Sequence, residues 1–252
     1  LSATSGSTTT YNPFTDSGYI EIEDAGDAAV VNGALFADAA NVGSGTGNYN
    51  VFLALNGNDG DVAGFNSDFI DPSNPDMAAS KSEAVLLSNI PILTILDEND
   101  IDGDGDINDY VEVYEFRVDL NESNNQPNSR ITLNEFKLYL SDDGTVSSLT
   151  TLEQQTNVYD MDEGVDVTIT LDEFSTGSGT DDYAVFVLVS EFESYFTAKP
   201  SSNPGNTYLY LYTSMGDPSD VIDFGSGPLN VDSTSYGDNP TYPTGVQGGY
   251  SE

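Results

Sequence analysis

A chain of 252 residues with 43 acidic and 5 basic side chains carries a formal charge of −38. That sign excludes nucleic acid and anionic membrane surfaces as partners, and salt bridges cannot neutralise such a surface. With no cysteine and no histidine there is no disulfide framework, no thiol chemistry, and neither the usual general base nor the usual transition-metal ligand. The length suits one large all-β domain or two small ones, with enough chain for a real core.

From the start, residues 1–15 form a Ser/Thr-rich polar arm, as in a mature exported chain whose leader has been removed or in a trimmed one. Short segments rich in Val, Ile, Tyr, Phe and Thr follow, punctuated by Gly, Asn, Asp and Pro. They predict strands at 18–23, 30–36, 49–55, 84–87, 92–96, 111–120, 136–140, 165–171, 183–189 and 207–213. Residues 78–87 could form a short helix, and no segment has a convincing 3.6-residue period. Along 111–118 the core positions read as Val111, Val113, Phe116 and Val118, a change of phase near Tyr114 that suggests a bulge or a switch between sheets. Tyr208, Tyr210 and Tyr212 alternate with Leu209 and Leu211, placing a tyrosine ladder on one face of a strand. About ten strands without helical crossovers give an all-β fold, a two-sheet antiparallel sandwich, jelly-roll-like, with long acidic loops over residues 16–224. Residues 225–252 are a Gly/Pro/Tyr-rich tail. Both tails need ordering from outside their own composition. Packing on their own domain and strand addition to a neighbouring subunit are the two routes.

The run Asp100, Asp102, Asp104, Asp106, Asn108, with residues between them and Gly105 at the sixth position, has the spacing of a calcium loop. Hard divalent cations take oxygen ligands, and carboxylates on alternate residues of a tight turn converge on one ion. Ile107 stands where such loops pin themselves to apolar structure. The twelfth position is Val111 rather than a bidentate Glu, which leaves Asp109 or Glu112 to close the shell. The bland alternative is a solvated acidic turn.

A second candidate pairs Asp119 and Asn121 with Glu135, since Ile131, Thr132, Glu135 and Phe136 have the spacing that ends a calcium loop; the alternative is an Asn-rich hairpin. Asp160, Asp162 and Glu163, the 177–182 turn and the 56–61 turn are weaker cases of the same kind. Nothing marks a nucleophile or a carboxyl pair set apart for glycoside cleavage, so no enzyme is expected. Calcium is the one cofactor implied.

The order of several segments is informative. Val51, Phe52, Asn56 and Gly57 are followed by Gly64, Phe65, Asn66 and Asp68, then Leu86, Leu87, Pro91 and Ile92. Next come Tyr114, Phe116, Arg117, Asp119 and Glu122, then Leu133, Glu135, Tyr139 and Ser141. Val158, Asp160, Asp162, Gly177, Gly179, Tyr183, Tyr208, Tyr212 and Gly216 complete the series. Over roughly residues 50–216 this order resembles secreted bacterial proteins of the exosortase-sorted, PEP-CTERM type. The resemblance implies an exported, surface-associated or matrix protein without known enzymatic activity. The sorting tail of such proteins is missing here, and the Asp100–Asn108 loop looks inserted where they make a short turn.

No apolar run reaches membrane-span length. The expectation is therefore an extracellular, calcium-binding structural protein that forms a homo-oligomer or polymer through its N- and C-terminal tails. The alternative is a monomeric adhesion module that binds extracellular glycans through Tyr208, Tyr210 and Tyr212 or through calcium itself.

Overall fold

A computed structural model of the chain describes residues 8–10, 18–22, 27–38, 49–55, 62–69, 76–78, 81–120, 130–164, 166–172, 182–216 and 246–251. The strands in chain order are β1 (Thr8–Thr10), β2 (Gly18–Ile22), β3 (Ala28–Val31), β4 (Ala34–Asp38), β5 (Tyr49–Leu55), β6 (Val62–Phe65), β7 (Val85–Leu86), β8 (Ile92–Leu96), β9 (Tyr110–Leu120), β10 (Arg130–Ser141), β11 (Thr156–Asp160), β12 (Val167–Asp172), β13 (Tyr183–Leu188), β14 (Tyr208–Gly216) and β15 (Val246–Ser251). Among the described residues two α-helices, α1 (Leu149–Leu152) and α2 (Ser190–Ala198), and a 3-10 turn over Leu87–Asn89 interrupt the series.

The strands form two sheets. One runs β1-β3-β4-β13-β9-β15-β5 with β8 also on β9, and the other runs β2-β12-β10-β14-β6 with β11 on β10 and β7 on β14. Pairing is antiparallel apart from β1 with β3 and β2 with β12. The expected all-β sandwich of two antiparallel sheets is thus the fold. The apolar residues between the layers form one core centred on Phe136, whose ring meets those of Phe36, Phe116 and Tyr159 edge-on at 5.8, 5.9 and 6.1 Å. Such aromatic clusters add specific geometry to a large buried area.

Several details depart from the sequence expectation. The expected strand 30–36 is a hairpin, β3–β4, turned at Asn32 and Gly33, whose φ values are 49° and 80°. Consecutive left-handed residues fit a two-residue hairpin turn, and Asn-Gly is its preferred chemistry. The short helix expected over 78–87 does not form among the described residues of that stretch: Val85 and Leu86 pair with β14 as β7, and the fully buried Leu87 opens a single 3-10 turn over Leu87–Asn89. Helix α2 was not expected, although Phe192, Tyr195 and Phe196 have helical spacing. Phe192 and Tyr195 are buried, and Phe192 meets Tyr114 at 4.6 Å.

β9 contains no bulge where it pairs with β13; the ladder runs unbroken from Val113 to Val118. Tyr114, Phe116 and Val118 face the central core, whereas Val111 and Val113 face outward. There they join Val30, Leu35, Ala37, Ala184, Phe186 and Leu188 in a second apolar layer. The apparent phase change is a strand buried on both faces. Along its other edge β9 pairs first with β8 and then, over Arg117–Leu120, with β15.

Candidate metal centre

The β8–β9 hairpin carries the Asp100–Asn108 loop at its tip. The loop base is closed by the Asp97 N–H, which donates to the Asp109 carbonyl at 3.0 Å. The next turn is held by the Asp97 side chain. Fully buried, its carboxylate accepts the N–H of Ile101 at 2.8 and 2.9 Å and that of Asp102 at 3.3 Å. The Ile101 side chain, 3% exposed, packs into the outer apolar layer beside Val111 and Val113. Ile101, not Ile107, therefore pins the loop, and Ile107 is 52% exposed.

Above this anchor the backbone curls tightly. Asp100, Gly103 and Gly105 have φ of 54°, 72° and 87°. Asp100 Oδ1 accepts from Gly105 N–H at 2.8 Å, Asp102 Oδ1 from Asp104 N–H at 3.1 Å, Asp104 Oδ1 from Asp106 N–H at 2.7 Å, and Asp106 Oδ1 from Asn108 N–H at 3.0 Å. These bonds turn successive carboxylates inward, so that oxygens of Asp100, Asp102 and Asp104 all lie within 4.8 Å of one another. Asp109 adjoins them: its Oδ1 is buried without a hydrogen-bond partner. Burial first, then the charges of Asp104, Asp102, Asp106 and Asp97, raise its pKa above the ordinary carboxylate value. Carboxylates so placed repel one another, and a hard divalent cation removes that repulsion.

The remaining expected ligands lie elsewhere. Asp106 and Asn108 are exposed farther round the same loop. Val111, at the twelfth position, is buried on β9, and Glu112 is an exposed β9 residue opposite Thr94, outside the three-carboxylate group. The side chain of Asp119 and all of Asn121 lie outside the described residues, as do the turns 56–61 and 177–181. Asp119 sits at the opposite end of β9 from the loop, its backbone paired with Gln247.

Glu135 finds different company from that expected. The β10–β11 pairing sets Lys137 opposite Asp160, and oxygens of Glu135, Asp160 and Asp162 fall within 4.8 Å of one another. Asp162 Oδ1 accepts the Val167 N–H at 2.8 Å, while its Oδ2 is buried with no donor facing it. Burial, then Glu135 and Asp160, push the Asp162 carboxyl well above the usual range. The chain supplies its own cation here: Lys137 Nζ lies 2.5 Å from Glu135 Oε2 and 3.5 Å from Asp160 Oδ2. Burial works against the charge on Lys137, yet Glu135, Asp160 and Asp162 hold its pKa above the ordinary lysine value. The Asn32 side chain fastens this turn by donating to the Asp160 and Met161 carbonyls at 3.2 and 2.9 Å. Since the ammonium already neutralises the cluster in part, the β8–β9 loop is the better candidate of the two for holding an added cation.

The tyrosine ladder is not an open surface. Tyr210 is fully buried, and its hydroxyl donates to the Asp143 carbonyl at 2.9 Å. Tyr208 and Tyr212 are half-buried around a small cluster of Phe65, Tyr139, Val146 and Leu152, on which α1 sits. The exposed aromatics among the described residues are Phe69, 41% accessible, and Tyr110, 68% accessible and paired with Leu96 across the β8–β9 hairpin of the other sheet. No described helix is long and apolar enough to cross a membrane.

Comparison with protein-family models, curated proteins and solved structures gives no match to this chain. Fold and site together therefore define a class: an all-β sandwich with acidic clusters able to hold a metal ion.

Proposed function

We infer that this chain is a secreted, calcium-binding structural protein that assembles with copies of itself into an extracellular filament, tube or surface layer. The observation that carries the reading is the β8–β9 loop, where an anchored, tightly turned segment converges Asp100, Asp102 and Asp104 with no basic side chain paired to them among the described residues. Oxygen-only ligands on alternate residues suit calcium better than transition metals. Calcium links the loop to assembly through charge: copies carrying −38 each pack closely only if cations neutralise their contacts. On the same hairpin, Ile92, Leu96 and Tyr110 of its strands and Ile107 of its loop are exposed, which suits a surface that meets another protein. The resemblance to exosortase-sorted surface proteins supports the same setting.

The test is negative-stain electron microscopy of the purified protein with millimolar calcium and after EDTA. Ordered polymers that fray or disperse on chelation support the proposal. Dispersed single particles in both conditions overturn it and favour a monomeric calcium-dependent adhesion module instead.

A further inference from the structure

The geometry points to strand exchange as the means of assembly: β15 of one copy fills the slot between β5 and β9 of the next. This rests on the self-assembly reading and names its interface.

β15 is the last strand in chain order, yet it is interior to its sheet. It pairs antiparallel with β5 from Tyr49 to Leu55 on one side and with β9 from Arg117 to Leu120 on the other. An interior strand satisfies the backbone N–H and C=O groups of two neighbours, so without β15 both facing edges would be open. The walls of this slot are held independently of the strand that fills it. β9 is fixed by β13 and by Phe116 and Val118 in the core. β5 buries Phe52, Leu53, Ala54 and Leu55. Its outer edge is bonded to the 77–83 segment: Ala78 N–H donates to the Ala54 carbonyl at 2.8 Å, Ala54 N–H to Ser82 Oγ at 3.0 Å, and Glu83 N–H to the Phe52 carbonyl at 2.9 Å.

The filler is the weakly specified partner. Val246-Gln247-Gly248-Gly249-Tyr250-Ser251 holds two adjacent glycines, and its register against β5 shifts between them. Gly-rich strands specify their register weakly and are open to exchange between chains. The tether permits it. β14 ends at Gly216 in the other sheet, and residues 217–245 separate it from β15. At about 3.3 Å per extended residue those residues reach on the order of 90 Å, against the roughly 10 Å between packed sheets. A strand supplied by a neighbour makes the same ladder as one supplied in cis, and a chain of such donations is open-ended.

The experiment uses the natural absence of cysteine. Ala54 and Gln247 are directly opposite in the β5–β15 ladder, and the Ala54 N–H and C=O both bond away from β15. They therefore form a non-hydrogen-bonded pair, the closest side-chain approach in an antiparallel ladder. The full-length double variant Ala54→Cys/Gln247→Cys is refolded with calcium, oxidised and run on a non-reducing denaturing gel, with electron microscopy of the same sample. A ladder of covalent multimers, lost on reduction, is the expected result. An intramolecular disulfide confined to monomers, in a sample that still forms polymers, overturns strand exchange while leaving self-assembly intact. Polymers without any disulfide overturn the placement of β15 itself. Monomers with no polymers overturn the assembly reading as well. The two single variants, melting as the parent does, control for misfolding.

Discussion

Ile101 donates its backbone N–H to both carboxylate oxygens of Asp97, at 2.8 and 2.9 Å, while its side chain leaves the acidic loop for the outer apolar layer of the first sheet. One residue thus joins the loop to the sandwich twice, by its backbone and by its side chain. Asp97 lies beneath the loop, sealed from solvent and bonded to peptide groups, which makes it a shaping residue rather than a ligand.

Shaping and ligating residues should separate by mutation. Asp97→Ala leaves the Ile101 and Asp102 N–H groups without their acceptor, so calcium-free stability should fall by about 1–3 kcal/mol, as for loss of a buried charged hydrogen-bond partner. Calcium affinity should fall with it. Asp104→Ala removes an exposed carboxylate from a repelling group, so calcium affinity should drop while calcium-free stability stays within about 0.5 kcal/mol of the parent. Calorimetric melting in chelator and a calcium titration measure both. Equal calcium-free losses in the two variants would contradict the assignment of roles.

Chelation should lower the melting temperature. A ligand that binds only the folded state, at a hundred times its dissociation constant, stabilises it by about 2.7 kcal/mol. For a domain of this size each kcal/mol moves the midpoint by roughly 2–4 °C. EDTA should therefore cost about 5–10 °C in a sample equilibrated with excess calcium. Asp102→Ala should remove most of that shift and Glu135→Ala less of it. A melting curve indifferent to EDTA would sink calcium binding at both clusters.

The sequence made the sandwich legible because alternation and turn chemistry are local. The expected 49–55 and 92–96 coincide with β5 and β8, and Asn32-Gly33 carries a hairpin signal that was read through. The inward-turned carboxylates of the β8–β9 loop are local too, since the bonds that aim them span two to five residues. What was hidden is non-local. Ile101 and Ile107 look alike in sequence, and only the outer apolar layer decides which is buried. That layer also turned an unbroken β9 into an apparent bulge. Glu135 meets Asp160 and Asp162 through strand pairing across more than twenty residues, which no spacing rule reveals.

The β3–β4 turn tests the support of the second cluster. Gly33 has φ of 80°, and a Cβ there would lie 2.9 Å from Glu191 Oε1, the end of a flexible side chain. Gly33→Ala should therefore destabilise by about 1–2 kcal/mol, chiefly from the left-handed backbone. Asn32→Gly keeps the turn but deletes the bonds to the Asp160 and Met161 carbonyls. It should cost about 1 kcal/mol, with the loss appearing in faster amide exchange at Asp162 and Val167. Unchanged exchange at those amides would mean that the hairpin turn does not hold the acidic turn.

Lys137 decides whether the second cluster is an internal ion pair or a place for an added cation. Its ammonium is the cation that the chain itself places between Glu135 and Asp160, and both partners are only partly exposed. Lys137→Met keeps the length and apolar stem while removing the charge, leaving Glu135, Asp160 and Asp162 facing one another. Discounted for partial solvent screening, the loss in calcium-free buffer should be about 1–3 kcal/mol. If the carboxylates can adopt a divalent ion in place of the ammonium, calcium should restore the variant by more than it stabilises the parent. Thermal melts of both proteins with and without calcium give the comparison directly. Rescue larger in the variant marks a latent cation site, while equal calcium shifts in variant and parent assign the cluster to Lys137 alone and leave the β8–β9 loop as the site through which calcium acts.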